Sequence, residues 1–236
     1  MLRSDDPAAL ALADRAVHPA AVPGPERGWA DDDEVVLLDP QGGVAGTRPK
    51  SLVHHDDTPI HLGFSCYVVD PDGRVLVTVR AYDKASFPGV VTNSACGHPR
   101  LGEPLEQAVR RRLSRELGIG AGDIDEVVTV LPDFVYRARS ATLVEHERCP
   151  VLRATVRRGV TPALHPGEVA EASWWSWADL VAAAADAGSS LSPWCREQVR
   201  LLDTLGGDPR AWPPGDDALL PAAARGVARG REVGDA

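Results

Sequence analysis

The stretch Thr92-Asn93-Ser94-Ala95-Cys96-Gly97-His98-Pro99 sets a thiol two residues from an imidazole, in a loop bounded by Gly and Pro. Gly102-Glu103-Pro104 follows at once, and a helical pattern then runs to Glu116-Leu117-Gly118, bringing a carboxylate. A thiol can serve as nucleophile or as acid and base, and imidazole and carboxylate both ligate metals. Taken alone the loop says little, because a Cys near a His is common and usually inert. It gains weight from residues elsewhere in the chain.

Five side chains are candidate metal ligands: His54, His61, His98, Glu145 and Glu147. Three imidazoles with two carboxylates suit a Mn, Fe or Zn class ion in five- or six-fold coordination better than a tetrahedral structural zinc. Glu145 and Glu147 lie two apart in an alternating run, so both face one side of a strand with His146 on the other. Taken singly, each His is more often a surface or core residue, and paired glutamates are more often a solvated face. Cys96 taken singly reads as a small buried hydrophobe, as Cys66, Cys149 and Cys195 do. By the same default Tyr136 and Trp194 are core aromatics, and Lys50, Arg80, Lys84 and Arg112 are solvated charges.

The elements that must position these groups can be read from pattern. Glu34–Asp39 and Val44–Thr47 flank a Pro-Gln-Gly-Gly turn and predict a hairpin. His61–Asp70 predicts a long strand, turned at Pro71-Asp72-Gly73 into a second strand over Arg74–Arg80. From Pro104 the positions Leu105, Ala108, Val109, Leu113 and Leu117 follow helical spacing, with Gly118 where a C-terminal cap belongs. Arg112 and Glu116, four apart beside that stripe, should face the protein body. Val127–Leu131, Asp133–Ala138, Leu143–Thr155 and Glu168–Trp177 read as further extended segments. Ser176 is placed to cap a helix over Ala178–Ala187, and Ser192-Pro193-Trp194 to start one running to about Leu205. Strands in hairpins, one central helix and later helices predict an α+β sandwich rather than a doubly wound parallel sheet. Residues 1–33, rich in Ala, Pro, Asp and Gly, read as a flexible N-terminal arm with a short helix near Ala8–Ala16; residues 34–205 form the domain; 206–236 read as a C-terminal tail.

The whole chain has 236 residues, 44% of them hydrophobic, and a formal charge of −9. Such an acidic balance argues against a nucleic-acid partner, while a local basic pocket could still take a phosphate-bearing small molecule. The four cysteines form no Cys-x-x-Cys pair, no run approaches the apolar length of a membrane span, and no signal peptide is visible. A soluble protein of the reducing cytoplasm, monomeric or weakly dimeric, is the expectation.

Thr92–Pro99, with Arg80-Ala81-Tyr82-Asp83-Lys84 before it and Val144-Glu145-His146-Glu147-Arg148-Cys149-Pro150 after it, closely resembles the type 1 isopentenyl-diphosphate isomerases of the Nudix superfamily. Ser192-Pro193-Trp194 and the His54/His61 pair fit the same pattern, and the resemblance spans about residues 34–205. The Nudix signature, Gly-x5-Glu-x7-Arg-Glu-U-x-Glu-Glu-x-Gly-U with U aliphatic, is degenerate here. Gly97, Glu103, Arg111, Leu113, Glu116, Gly118 and Ile119 match, while Arg112 and Arg115 hold two carboxylate positions.

The resemblance implies a Nudix-like α/β/α sandwich with mixed and antiparallel sheets and a central helix. It implies conversion of isopentenyl diphosphate to dimethylallyl diphosphate, with Cys96 as acid/base on one alkene face and Glu147, assisted by Tyr136, on the other. Trp194 would face the carbocation. His54, His61, His98, Glu145 and Glu147 would hold Mn²⁺ or Zn²⁺. Lys50, Arg80, Lys84 and Arg112 would contact the diphosphate, and a Mg²⁺ would bridge it to Glu116 and the Cys96 carbonyl. Three alternatives stay open: a Nudix pyrophosphohydrolase, which two guanidinium groups in place of metal-binding anions disfavour, a catalytically inactive Nudix-like binding module, and an isomerase relative acting on a different prenyl diphosphate.

Overall fold

The computed structural model describes residues 34–141 and 143–225. The expected N-terminal arm, with its helix near Ala8–Ala16, lies outside these residues.

In chain order the strands are β1 Glu34–Leu38, β2 Val44–Pro49, β3 His61–Leu62, β4 Phe64–Val69, β5 Val75–Arg80, β6 Val91–Thr92 and β7 Ala95–Gly97. After helix α1, Leu105–Leu117, come β8 Ile124–Leu131, β9 Val135–Arg139, β10 Val144–Arg148, β11 Val151–Val156 and β12 Val169–Trp175. Helices α2, Trp177–Ala185, and α3, Pro193–Asp203, follow. The larger sheet has the order β12-β5-β4-β11-β8, with β6 on β5 and β7 on β4; the smaller has β2-β1-β3-β10-β9.

The larger sheet is buried on both faces, so its strands are nearly continuous in apolar residues and the side-chain period of two sorts them into two cores. On β4, Phe64, Cys66 and Val68 join Leu105, Ala108, Val109, Leu113 and Leu117 of α1 in one core. Tyr67 and Val69 point the other way, into a core shared with Leu180 of α2 and Trp194, Val199 and Leu202 of α3. This is the α/β/α sandwich expected. Helix α1 ends as its sequence predicts: Gly118 takes φ 62°, with Gly118 N–H on Ser114 O and Ile119 N–H on Leu113 O, a left-handed cap that satisfies the last carbonyls. Ser176 and Ser192 cap α2 and α3 by accepting from Asp179 N and Cys195 N.

Two runs predicted as single strands are each divided between the sheets. His61–Asp70 breaks at Gly63 into β3 and β4, and Leu143–Thr155 breaks at Cys149-Pro150 into β10 and β11. Alternation continues through both breaks, so periodicity could not reveal them. The breaks are side by side: β3 runs parallel to β10 and β4 parallel to β11, with Gly63 N–H on Arg148 O at 2.9 Å and Ser65 N–H on Pro150 O at 3.0 Å. The chain makes the same crossing between β8 and β9, where Cys149 N–H bonds Phe134 O at 2.7 Å. Three neighbouring segments thus leave one sheet for the other along one line, and His61, Glu147 and Tyr136 stand beside it.

The C-terminal stretch departs from the expected tail. Residues 206–225 pack on the body, with Trp212 buried edge-on against Trp177 at 4.7 Å and Tyr67 at 6.3 Å. The buried Arg153 guanidinium donates to the carbonyls of Arg210 and Trp212 and to the Glu126 carboxylate. A composition of Pro, Gly, Ala and charge concealed these few anchors.

At Gly63 a Cβ would fall on the Glu147 carboxylate. Gly63→Ala is expected to push that side chain off its imidazole partners and cost roughly 1–3 kcal/mol, as overpacking of a filled interior does. A lowered midpoint in urea unfolding checks this; an unchanged midpoint would mean the carboxylate has room to yield.

Candidate active site

His61 on β3, His98 just past β7 and His54 in the loop after the 3-10 turn Lys50–Leu52 come together with ring centroids 5.1–5.6 Å apart. Together with Glu147 of β10, each offers a ligand atom within 4.8 Å of the others. Glu147 Oε1 stands 3.5 Å from His61 Nε2 and 3.4 Å from His98 Nε2. The Pro59 carbonyl, 2.9 Å from His61 Nδ1, turns Nε2 of that ring toward the cluster, as carbonyls behind metal-binding histidines do. The Nε2 atoms of His61 and His98 are buried without a hydrogen-bond partner. Two orphaned ring nitrogens beside a buried carboxylate fit a divalent cation.

The charge states suit that role. Burial pushes the His98 imidazolium down to about 4, leaving the ring neutral. Burial alone would raise the Glu147 carboxyl, but the adjacent His61 and His98 imidazoles outweigh it and hold the group well below the usual carboxylate range. Both are therefore in their ligand forms at neutral pH. Glu145 sits differently from Glu147: its Oε2 lies 3.0 Å from His54 Nε2, and it is not among the four converging ligand atoms. Burial opposes a charge on His54, yet the bond from Glu145 prevails and the imidazole's pKa is raised.

A cavity of about 380 Å³ opens beside the cluster and is lined by Cys96, Tyr136, Glu147 and Trp194. Cys96 belongs to β7, opposite Ser65 of β4, whose hydroxyl is 3.5 Å from the Cys96 sulfur. Burial pushes the Cys96 thiol up to about 11, so it is protonated at neutral pH. Burial, helped by the charge of Glu147, carries the Tyr136 hydroxyl well above its ordinary value. Tyr136 is the cross-strand partner of Glu147, stacks on Phe134 at 6.0 Å and meets Trp194 at 5.5 Å. A proton donor or acceptor thus stands at more than one point of an aromatic-walled cavity.

The same cavity carries Lys50, Arg80, Lys84 and Arg112 on its wall, with Glu116. Arg112 and Glu116 face the body as expected, both buried and paired across one turn of α1. The Arg80 guanidinium is tied to Ser86 and lies 5.9 Å from the centre of the Trp194 ring. Such a cluster of cations suits an anionic ligand of the phosphate type. Every candidate catalytic, metal-ligating and substrate-binding residue from the sequence lines this cavity except His61, which touches Glu147.

The NUDIX domain family matches residues 59–195. Proteins named isopentenyl-diphosphate Delta-isomerase are similar over most of the chain. That of Rhizobium rhizogenes is 45% identical over 81% of this chain and 90% of its own. That of Agromyces mediolanus is 51% identical over 73% and 82%, and that of Mycolicibacterium vanbaalenii 50% identical over 73% and 92%. The chain belongs to the isopentenyl-diphosphate Delta-isomerase family, within the Nudix fold. Among solved structures the DR0079 protein of Deinococcus radiodurans has the same fold, with a TM-score of 0.56 at 18% identity over 72% of this chain and 98% of its own.

Sequence reasoning missed several members of this Nudix site. Glu168, just before β12, forms an ion pair with Lys84 and lies 3.9 Å from Arg112 and 3.8 Å from Arg115. Nothing in its neighbourhood marks it, because it meets Lys84 only through the pairing of β12 with β5. Asn93 and Ser65, both wholly buried, surround the Cys96 sulfur and belong to runs that read simply as loop and strand. Arg115, read as a motif defect, also lines the cavity.

Glu168 gives a pH prediction. Burial would raise its carboxyl, but Lys84 and then Arg112 hold it down at about 2, against an ordinary 4.5. A carboxyl lowered on folding adds stability that is complete above the ordinary value and is lost as the pH falls through the folded one. Glu168→Gln should therefore flatten the decline in unfolding free energy between about pH 4.5 and pH 2. Parallel curves for the variant and the parent over that window would contradict it.

Proposed function

We propose that the protein converts isopentenyl diphosphate into dimethylallyl diphosphate, with the residues of the cavity in the following roles. A proton is added to the terminal methylene, a tertiary cation forms at C3, and a proton leaves C2, so the double bond moves without net gain or loss of atoms. An unactivated alkene is a poor base, so the step needs a positioned acid, an opposing base and a dry cavity that keeps water off the cation.

One observation carries the reading: the Cys96 thiol and the Tyr136–Glu147 pair line a single cavity together with the Trp194 ring. Cys96 is the acid/base on one alkene face, and Glu147, assisted by Tyr136, serves the other. Trp194 turns a π surface to the cation, worth roughly 2 kcal/mol once water is excluded. Lys50, Arg80, Lys84 and Arg112 hold the diphosphate. Mn²⁺ or Zn²⁺ on His54, His61, His98 and Glu147, with Glu145 behind His54, would supply a fixed charge that tunes the proton affinity of the carboxylate, and Mg²⁺ at Glu116 and the Cys96 carbonyl would neutralise the diphosphate.

The partner is then a small prenyl diphosphate rather than a nucleic acid. No helix among the described residues is long and apolar enough to cross a membrane. We infer a cytoplasmic protein working as a monomer or weak dimer.

Incubation with isopentenyl diphosphate and Mg²⁺ in deuterated water should place label in a methyl group of dimethylallyl diphosphate. Phosphate release from nucleoside diphosphate derivatives with no such label would favour the hydrolase instead. Cys96→Ala and Glu147→Gln should each lower turnover by about 10²–10⁴-fold, the usual span for a lost acid or base, while the circular dichroism spectrum is kept. Trp194→Phe should keep part of the activity and Trp194→Ala lose nearly all of it; equal rates for the two would remove the argument for a π surface.

A further inference from the structure

We propose that Asn93 is a positioning residue for this isomerisation: its one side-chain amide holds the Cys96 thiol and the Trp194 ring in fixed relation. The proposal rests on the isomerase reading for its chemistry but on Asn93 itself for its geometry. Asn93 is wholly buried, and the cavity wall is built by its neighbours Thr92, Ser94, Ala95 and Cys96. It sits behind the wall and acts through what it touches.

The orientation of the amide is fixed by chemistry. An indole N–H can only donate, so Trp194 Nε1, 3.1 Å from Asn93 Oδ1, must face an oxygen. The Thr92 hydroxyl donates to the same oxygen at 2.8 Å. The nitrogen end is then left for the backbone carbonyls of Ala95, at 2.8 Å, and Cys66, at 3.2 Å, which can only accept. The Cys96 sulfur stands 3.3 Å from both ends of the amide. One rigid planar group is thus in contact with the thiol on β7, the ring on α3 and the backbone of β4.

The hold on α3 is doubled. Thr92 Oγ1 meets Ser192 Oγ at 2.9 Å, and Ser192 Oγ accepts from Cys195 N, capping the helix that carries Trp194. A buried polar group in contact with this many partners cannot shift without leaving several of them unpaired, which is expensive inside a protein. Its consequence for catalysis is geometric. An acid or base and a cation-stabilising face must meet the same small carbon skeleton, and about 1 Å of misplacement can cost 10²-fold in rate.

The test uses the full chain. Asn93→Leu removes both ends of the amide at similar size. We expect kcat for isopentenyl diphosphate to fall about 10²-fold with KM close to the parent value, because the cations that hold the diphosphate are untouched. The Trp194 indole N–H resonance, followed in nitrogen-15-labelled protein, should move upfield as its acceptor is lost. Asn93→Asp keeps the shape and the acceptor and loses the amide donor. It should retain the indole resonance, react more slowly than the parent at Cys96 with iodoacetamide because the donor facing the sulfur is gone, and show a kcat between those of the parent and Asn93→Leu. Should Asn93→Leu fail to fold, Asn93→Asp decides alone.

A parental kcat in either folded variant, a rise in KM at constant kcat, or an unmoved indole resonance in Asn93→Leu would overturn the proposal. Absence of isomerase turnover in the parent itself would instead overturn the functional reading, and the resonance and alkylation measurements would still judge the geometry.

Discussion

Burying the charge of Glu147 is the constraint to which much of this structure answers. Taking a carboxylate out of water costs several kcal/mol unless its oxygens are met by partners of opposite or complementary character. Here the partners are His61 and His98, brought from β3 and from the end of β7. Neither could be brought so near by one flat sheet. The arrangement needs β3 and β10 to run parallel and then turn together into β4 and β11, and it needs residue 63 to have no side chain where the carboxylate lies. The crossing of the strands and the site are two aspects of one geometry.

A second constraint is the concentration of positive charge in an acidic protein. The chain carries a formal −9, yet one cavity gathers Lys50, Arg80, Lys84, Arg112 and Arg115. Cations this close repel one another, and Glu116 and Glu168 moderate them while leaving the cavity positive in balance. A long-range field that repels anions and a local pocket that captures them are compatible, because charge at close range outweighs charge screened over a Debye length.

What could be read from the sequence follows from which forces are local. The capping of α1 by Gly118, the caps at Ser176 and Ser192, and the inward turn of Arg112 and Glu116 all depend on residues within one or two turns, and each was legible. The break at Gly63 was not, since alternating apolar residues continue on both sides and only the neighbouring break at Pro150 gives it meaning. The ligand types and the loop around Cys96 were legible as chemistry. Glu168 and Asn93 were not, because their partners lie at a distance in sequence: Lys84 is met through strand pairing and Trp194 through the docking of α3. Trp212 was lost for another reason, a stretch of Pro, Gly and charge in which a few anchors do all the packing.

The two arginines in the Nudix helix connect these constraints to the choice of chemistry. A hydrolase of this fold needs several carboxylates in a row to collect metal ions around an attacking water. At positions 112 and 115 this chain has guanidinium groups instead, and Arg112 is paired directly with Glu116, the carboxylate that remains. A metal cluster cannot form around charges of its own sign, so water near the diphosphate lacks the activation that hydrolysis requires. The same guanidinium groups, in a cavity with a protonated thiol and an aromatic wall, are suited to gripping a diphosphate that is to be left intact. Two guanidinium groups in one helix therefore disfavour breaking a diphosphate and suit holding one, which is the use the proposed isomerisation makes of it.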